Sequence, residues 1–246
     1  MDSVSSSPDD QAVSARLAEL AGRYGLSPAA PERLRLLLDL VQQSHHSLTA
    51  VREPTLGVEV HVADSLAGLD VQAVREASLI ADLGSGAGFP GLVLAVALPA
   101  ARVVLVESVG KKAGFLEEAA ERLQLQNVEV VNDRAEVWEA GRDRCDVVTA
   151  RALARLDVLL EYAAPLLRVD GALVAWKGKR DKGEETGAWK AGKILGMEAP
   201  VPVVVPGPEG SERHLYLSRK LRATPAEYPR RPGMAAKRPL GGSSRA

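Results

Sequence analysis

The chain has 246 residues, 46% of them hydrophobic and 26% charged, with a formal net charge of −1. That is a soluble globular composition, enough for one large domain or a domain with a small appendage. It excludes wholesale attraction to nucleic acid, so any RNA contact must come from a local basic surface. The single cysteine, Cys145, excludes an internal disulfide framework and a cysteine zinc cluster. The four histidines show no familiar metal spacing, so no metal is expected and a reducing, cytoplasmic setting fits.

Residues 1–10 are rich in Ser and Asp, without the basic and apolar regions of a secretory signal, and are expected to be disordered. Val13, Leu17, Leu20 and Ala21 share one helical face, and Leu34, Leu37, Leu38 and Val41 share another, with Pro31 well placed for a helix start. A third helix is expected over residues 57–69, which makes 11–77 a helical region. From residue 78 short apolar runs alternate with helical stretches. Residues 78–83, 102–107, 128–131, 145–149 and 172–176 read as strands. The run from Arg102 to Glu107 shows no in/out alternation, as in a strand buried on both faces.

Leu116, Ala119, Ala120 and Leu123 form one intervening helical stripe; Leu156, Leu159, Leu160, Ala163, Leu166 and Leu167 form another. This succession predicts a doubly wound α/β domain over 78–221. Residues 177–196 read as a polar loop with a short helix. Residues 201–205 and 214–217 read as a closing antiparallel pair, with Pro202 at the edge. No stretch is apolar for long enough to span a membrane; the longest covers 91–101. Residues 222–246 hold six Lys/Arg and one Glu among Pro and Gly, and read as an extended or disordered basic tail that could track RNA phosphates or be only a soluble end.

The most informative stretch is Asp82-Leu-Gly84-Ser-Gly86-Ala-Gly88-Phe-Pro-Gly91, directly after the first strand and opening a helix. Glycines there permit positive φ and close approach of backbone to a ligand at the crevice beyond the strand ends. Gly86 to Gly91 formally matches the dinucleotide pattern, which is weak alone. The register from Gly84 fails it at Phe89, and Pro90 is unusual for it. An acid at the strand tip, Asp82, suits a cationic ligand such as S-adenosylmethionine and would repel a pyrophosphate. Glu107, at the next strand end, could accept from ribose hydroxyls in either ligand. The bland alternative is that both acids are merely strand-end polar residues.

Several motifs then carry a resemblance: Leu48-Thr-Ala-Val-Arg52, His61-Val-Ala-Asp64-Ser65-Leu66, the 82–91 loop with its Gly-Phe-Pro-Gly ending, and Glu107-Ser-Val-Gly-Lys-Lys112. Ala135-Glu136, Thr149-Ala-Arg151-Ala, Trp176-Lys177-Gly178 and Arg213-His214-Leu215 follow in order. Over residues 44–220 the chain resembles the RsmG (GidB) family, the guanine-N7 methyltransferases of 16S rRNA. The resemblance implies a Rossmann-like S-adenosylmethionine-dependent methyltransferase fold with an N-terminal helical cap. It also implies a 16S rRNA or small-subunit substrate; separately, no long apolar face demands a partner, so a monomer is expected. The resemblance places Gly84, Gly86, Gly88, Phe89, Glu107, Ala135, Glu136 and Arg151 around the cofactor, with Ala135 and Glu136 framing the adenine. Arg52, His61, Lys111, Lys112, Lys177 and Arg213 become RNA-binding candidates. Ser47 departs from the Asn usual in the family, and the tail resembles the extension of longer members.

The chemistry can be weighed beside the resemblance. Methyl transfer is an in-line displacement, so the protein mainly positions the reactants. Cys145 reads as structural rather than as a nucleophile, and the loop after the fourth strand lacks the Asn/Asp-Pro-Pro-aromatic motif of amino-group methylation. Guanine N7 carries a lone pair and no proton, so it needs no general base. Arg151 is expected to orient the base through another atom, or to hold cofactor or phosphate; the alternative is an ion pair with Asp146 or Asp157. His61 and Asp64 share a helical face, as a packed or capping pair in preference to a base. His45 and His46 read as surface residues. Lys111 and Lys112, against the helix dipole, read as phosphate-facing or simply solvated, as do Lys177, Lys179, Arg180 and Lys182. The rivals are a small-molecule methyltransferase, an NAD-dependent oxidoreductase, and a non-catalytic RNA-binding assembly factor.

Overall fold

The structure, a computed structural model, describes residues 8–44, 48–51, 53–205 and 213–242. The chain opens with α1 (Pro8–Tyr24) and α2 (Ala30–Gln43), whose buried residues include both predicted stripes, and Pro31 lies in the first turn of α2. Pro8 to Asp10 already belong to α1, so the expected disorder does not extend over them. A broken helical run follows: α3 (Pro54–Gly57), a π-helical turn (Val58–Ala63), α4 (Asp64–Leu66) and a 3-10 turn (Ala67–Asp70). The single helix expected over 57–69 is thus wound three ways, and a π turn of this kind re-aims the side chains it carries. A short α5 (Gln72–Arg75) leads into the sheet.

Seven strands follow: β1 (Leu79–Leu83), β2 (Arg102–Val106), β3 (Val128–Val131), β4 (Cys145–Arg151), β5 (Leu167–Lys177), β6 (Val201–Val205) and β7 (Arg213–Arg219). Their order is β3-β2-β1-β4-β5-β7-β6, with the first five parallel and β7 antiparallel to both neighbours. Alternate residues feed two cores. Ile80, Val103, Leu105 and Val147 join the N-terminal helices, α6 (Gly91–Ala97) and α7 (Gly110–Arg122). Ala81, Val104, Val148 and Ala150 face α8 (Leu156–Ala163) and α9 (Lys182–Leu195). Apolar partners on both sides explain why β2 lacks alternation. At the far edge β6 pairs only with β7, and Pro202 sits there.

Two expectations are corrected. Residues 182–195 form a helix of 14 residues, longer than the short helix expected within a loop. Asp181 caps it by accepting from Gly183 N (2.8 Å) and Glu184 N (3.0 Å), and Gly196 ends it at φ +79°. Its buried face is mostly Gly187, Ala188, Ala191 and Gly192, small residues that carry little hydrophobic signal yet allow close packing. Nor are residues 222–242 an extended tail. Tyr228 and Leu240 pack on the second core, and α10 (Met234–Lys237) buries Ala235. Lys220, just before this segment, is fully buried, donating to Asp143 Oδ1 and Leu167 O at 2.6 Å each. Among the described residues no helix is long and apolar enough to cross a membrane.

Candidate functional site

The loop after β1 is held open by its own backbone. Gly84, Gly86 and Gly88 have φ of +66°, +57° and +89°, a region in which side-chain-bearing residues are strained. Gly84 N donates to Val106 O (2.8 Å) and Gly88 N to Ser85 O (2.7 Å). Leu153, from the loop after β4, lies over Gly84, so a Cβ there would sit 2.6 Å from Leu153 Cδ1. Gly91 answers a different need. A Cβ on it would collide with Leu105 Cδ2 and lie 2.7 Å from Asp82 Oδ2, so α6 can begin against the sheet only with glycine there.

Asp82 does not face a ligand, contrary to the expectation for an acid at the strand tip. It is buried; its Oδ1 accepts from Thr149 Oγ1 (2.8 Å) and its Oδ2 from Gly91 N (3.2 Å). It therefore braces β1, β4 and the start of α6. Burial pushes its pKa up to about 6 against those hydrogen bonds. Glu107 is buried directly after β2, accepting from Gly86 N (3.0 Å) and Val109 N (2.8 Å), while its carbonyl accepts from Asn132 Nδ2 (2.8 Å). Ala135 and Glu136 form a 3-10 turn after β3, and Glu136 Oε1 accepts from Gly233 N (2.9 Å). All these groups lie where the parallel strands end, the usual ligand crevice of an open α/β sheet.

A second cluster adjoins the loop through Phe89. The His61 ring stacks on Phe89 with centroids 4.6 Å apart and planes 10° off parallel, and the Arg151 guanidinium lies 5.5 Å from the Phe89 centroid. Arg151 NH1 donates to Val60 O (2.9 Å), within the π turn, and to Asp64 Oδ2 (3.0 Å). Asp64 Oδ1 also pairs with Arg213, and Trp176 Nε1 donates to the Asp64 carbonyl (2.7 Å). One buried carboxylate thus holds two guanidiniums brought from β4 and β7. Arg151 makes no pair with Asp146, which binds Arg168, or with Asp157, which binds Arg155. These groups border an open cleft of about 1130 Å³ that also reaches Val51, Lys177 and Lys179.

His61 Nε2 lies 2.9 Å from Thr49 Oγ1, and Arg151 NH2 is 3.4 Å from Nδ1. Burial, and then the Arg151 charge, push its pKa down to about 4. The neutral ring fits both contacts if Nε2 carries the proton and donates to Thr49, leaving Nδ1 to accept from Arg151. Cys145 is a buried thiol whose pKa burial raises to about 12, so it is no nucleophile.

The two shifts oppose each other on the acid side. Asp82, protonated more readily folded than unfolded, disfavours the fold progressively as pH rises from about 4 to about 6. His61, which resists protonation when folded, disfavours it as pH falls from about 6.5 toward 4. Asp82→Asn keeps an acceptor for Gly91 and removes the first effect. The variant is expected to gain about 3 kcal/mol on the wild type between pH ~4 and pH ~7 in urea denaturation. Equal differences at the two pH values would contradict the raised pKa. In the same range the His61 ring should show no NMR titration above pH ~5.

Not every candidate reaches the cleft. Lys177 does, but its ammonium turns to Glu184 Oε1 (2.6 Å) and Ala154 O (3.3 Å). Arg180 pairs with Glu185. Lys111 and Lys112 stand in the first turn of α7, and Lys111 lines a separate hollow beside Leu40 and Gln43. Arg52, His45, His46 and Ser47 lie outside the described residues. Thr149, Asn132 and Trp176 join the site only through the fold, although Thr149 and Trp176 each begin a motif that holds a candidate. No group of three or more His, Cys, Asp or Glu among the described residues could hold a metal.

Residues 32–216 match the family model described as rRNA small subunit methyltransferase G. Three curated relatives carry the name ribosomal RNA small subunit methyltransferase G. The one from Rubrobacter xylanophilus is 44% identical, over 87% of this chain and 86% of its own. The one from Chloroflexus aggregans is 42% identical, over 82% and 85%. The one from Desulfitobacterium hafniense is 38% identical, over 95% and 99%. Among solved structures, a point mutant of MtNAS in complex with S-adenosylmethionine aligns with a TM-score of 0.54 at 18% identity, over 84% of this chain and 78% of that one. A SAM-dependent O-methyltransferase from Thermotoga maritima aligns with a TM-score of 0.52 at 16% identity, over 76% and 72%. At those identities the likeness is one of fold, and it is to Rossmann-like methyltransferases.

Proposed function

The chain belongs to the rRNA small subunit methyltransferase G family, and from that premise we propose that it moves a methyl group from S-adenosylmethionine to N7 of a guanine in 16S rRNA. S-adenosylmethionine supplies an electrophilic methyl on a sulfonium when bound. The residues at the strand ends suit that ligand: three positive-φ glycines leave room at the backbone, Glu107 keeps lone pairs beyond its two N–H contacts for ribose hydroxyls, and the Ala135–Glu136 turn offers backbone to an adenine. Phe89, between this loop and the His61–Arg151 cluster, separates cofactor from substrate.

The observation that carries the reading is the Asp64-centred cluster beside the glycine loop. It presents two arginines at a cleft in which His61, its pKa pushed down to about 4 by burial and the Arg151 charge, is a poor base, and Cys145 is out of reach. Such a site activates nothing; it positions. Guanine N7 is a nucleophile as it stands, so positioning suffices. Arg151 and Arg213 would meet phosphate or the guanine O6 edge, because a donor on N7 would block the reacting lone pair. A single cytoplasmic chain is the acting unit in this proposal. The test is incubation of the protein with labelled S-adenosylmethionine and small-subunit particles from cells lacking it, followed by mass mapping. The expected mark is one methyl on a guanine whose imidazolium ring then opens in alkali. A mark on adenine or cytosine would overturn the N7 reading, and no incorporation despite cofactor binding would favour an assembly factor.

A further inference from the structure

The family model ends at residue 216, yet residues 222–242 are built into the body of the protein. Their anchor is Arg230, which donates from Nε (2.8 Å) and NH2 (2.5 Å) to the two oxygens of Glu161, with its backbone N adding a third contact at 3.2 Å. Glu161 is only 1% exposed, so the pair is shielded and two-pronged, the geometry that fixes a segment rather than decorating a surface. From that anchor the segment reaches the connection between β3 and β4 twice. The Tyr228 carbonyl accepts from Arg142 NH1 (3.4 Å), and Gly233 N donates to Glu136 Oε1 (2.9 Å). Gly233 has φ +80°, which places its N–H there at a conformation that disfavours any side chain.

The connection it grips has little structure of its own. β3 is an edge strand, none of whose four residues is fully buried, and only two single 3-10 turns lie between it and β4. The Glu136 carboxylate faces the C-terminal segment, leaving the backbone of the turn for a ligand.

We propose that residues 222–242 are a strap in which Arg230 and Gly233 act as positioning residues, holding the Ala135–Glu136 turn in the shape that binds the adenosine end of the cofactor. The inference rests on the assignment of that turn to the cofactor site. It has a reciprocal consequence: if the docked strap favours cofactor, cofactor favours the docked strap by the same factor.

The test on the wild-type chain is limited trypsinolysis with and without saturating S-adenosylhomocysteine. Arg231 and Arg238 precede prolines and resist trypsin, whereas Arg222 and Lys237 are exposed cleavage sites on the strap. Cleavage there is expected to slow about fivefold or more, in step with the population of the open strap. Arg230→Met is expected to weaken S-adenosylhomocysteine binding about tenfold and raise the KM for S-adenosylmethionine in proportion, with kcat and the KM for RNA within about twofold of wild type. Arg230→Lys should recover part of the affinity. Binding of S-adenosylhomocysteine with no change in strap cleavage, or unaltered affinity in Arg230→Met, overturns the strap and leaves the cofactor site standing. A wild-type chain that does not bind S-adenosylhomocysteine overturns both.

Discussion

Replacing Asp64 with alanine is expected to lower methyl transfer to rRNA about a hundredfold, equivalent to roughly 2.7 kcal/mol of transition-state stabilisation, while leaving S-adenosylhomocysteine affinity within a few-fold. Asp64 is a poor candidate for direct chemistry, since its two oxygens are engaged by Arg151 and Arg213. Its value is geometric. The two arginines come from strands separated in the sheet by β5, and Asp64, from the N-terminal helical run, is the group that draws them together at the mouth of the cleft. Without it two guanidiniums stand close together with their common counter-charge gone, and removing one partner from a shielded ion pair costs about 3–5 kcal/mol. Rate and stability must therefore be read separately: initial rates at saturating cofactor, and urea denaturation of the same preparation. Asp64→Asn, which keeps one acceptor and the volume, should fall between alanine and wild type in both. A folded Asp64→Ala chain methylating within about threefold of wild type would remove the cluster from the mechanism.

Gly91→Ala is expected to be the most damaging single methyl group that can be added to this loop. The new Cβ would meet Leu105 Cδ2 on one side and Asp82 on the other, both in buried residues. Relief requires α6 to move away from the sheet, taking with it the Gly91 N–H that serves Asp82. Overpacking of this kind costs about 1–3 kcal/mol, and the shift is transmitted to the three glycines upstream, so cofactor binding should weaken about a hundredfold or beyond detection in calorimetry. Gly114→Ala is the control. It lies in α7 with nothing within 4 Å of the added atom, so it should be neutral or stabilise by up to about 1 kcal/mol. Comparable effects of the two substitutions would refute the steric argument.

The parallel strands were readable because runs such as Arg102 to Val106 are apolar on both faces, and Pro202 marked the sheet edge because it cannot donate to a ladder. The glycine loop was readable as a binding turn for the same local reason. What escaped was decided at long range. Whether Asp82 turns inward or outward depends on Thr149, 67 residues later. Arg151 could have paired with acids near it in sequence, and instead found Asp64, 87 residues earlier. The fit of α9 rests on small residues whose contribution is closeness rather than hydrophobicity. The C-terminal segment is held by one shielded ion pair, two hydrogen bonds to the connection between β3 and β4 and a few apolar contacts, so its composition resembles that of an unattached chain.

The outer strand β6 has a consequence for life at high concentration. A free sheet margin is an invitation to a second molecule, which can zip its own backbone onto the open row of amides and carbonyls. Here the margin is five residues long, Pro202 withdraws one amide from it, and the next segment that the structure describes, β7, turns back into the sheet. Val204, with 79% of its surface exposed, is greasy bait on a rail too short and too broken to use. Restoring that amide with Pro202→Val would lengthen the rail, and crowded solutions of such a chain are where ordered aggregation should first be seen.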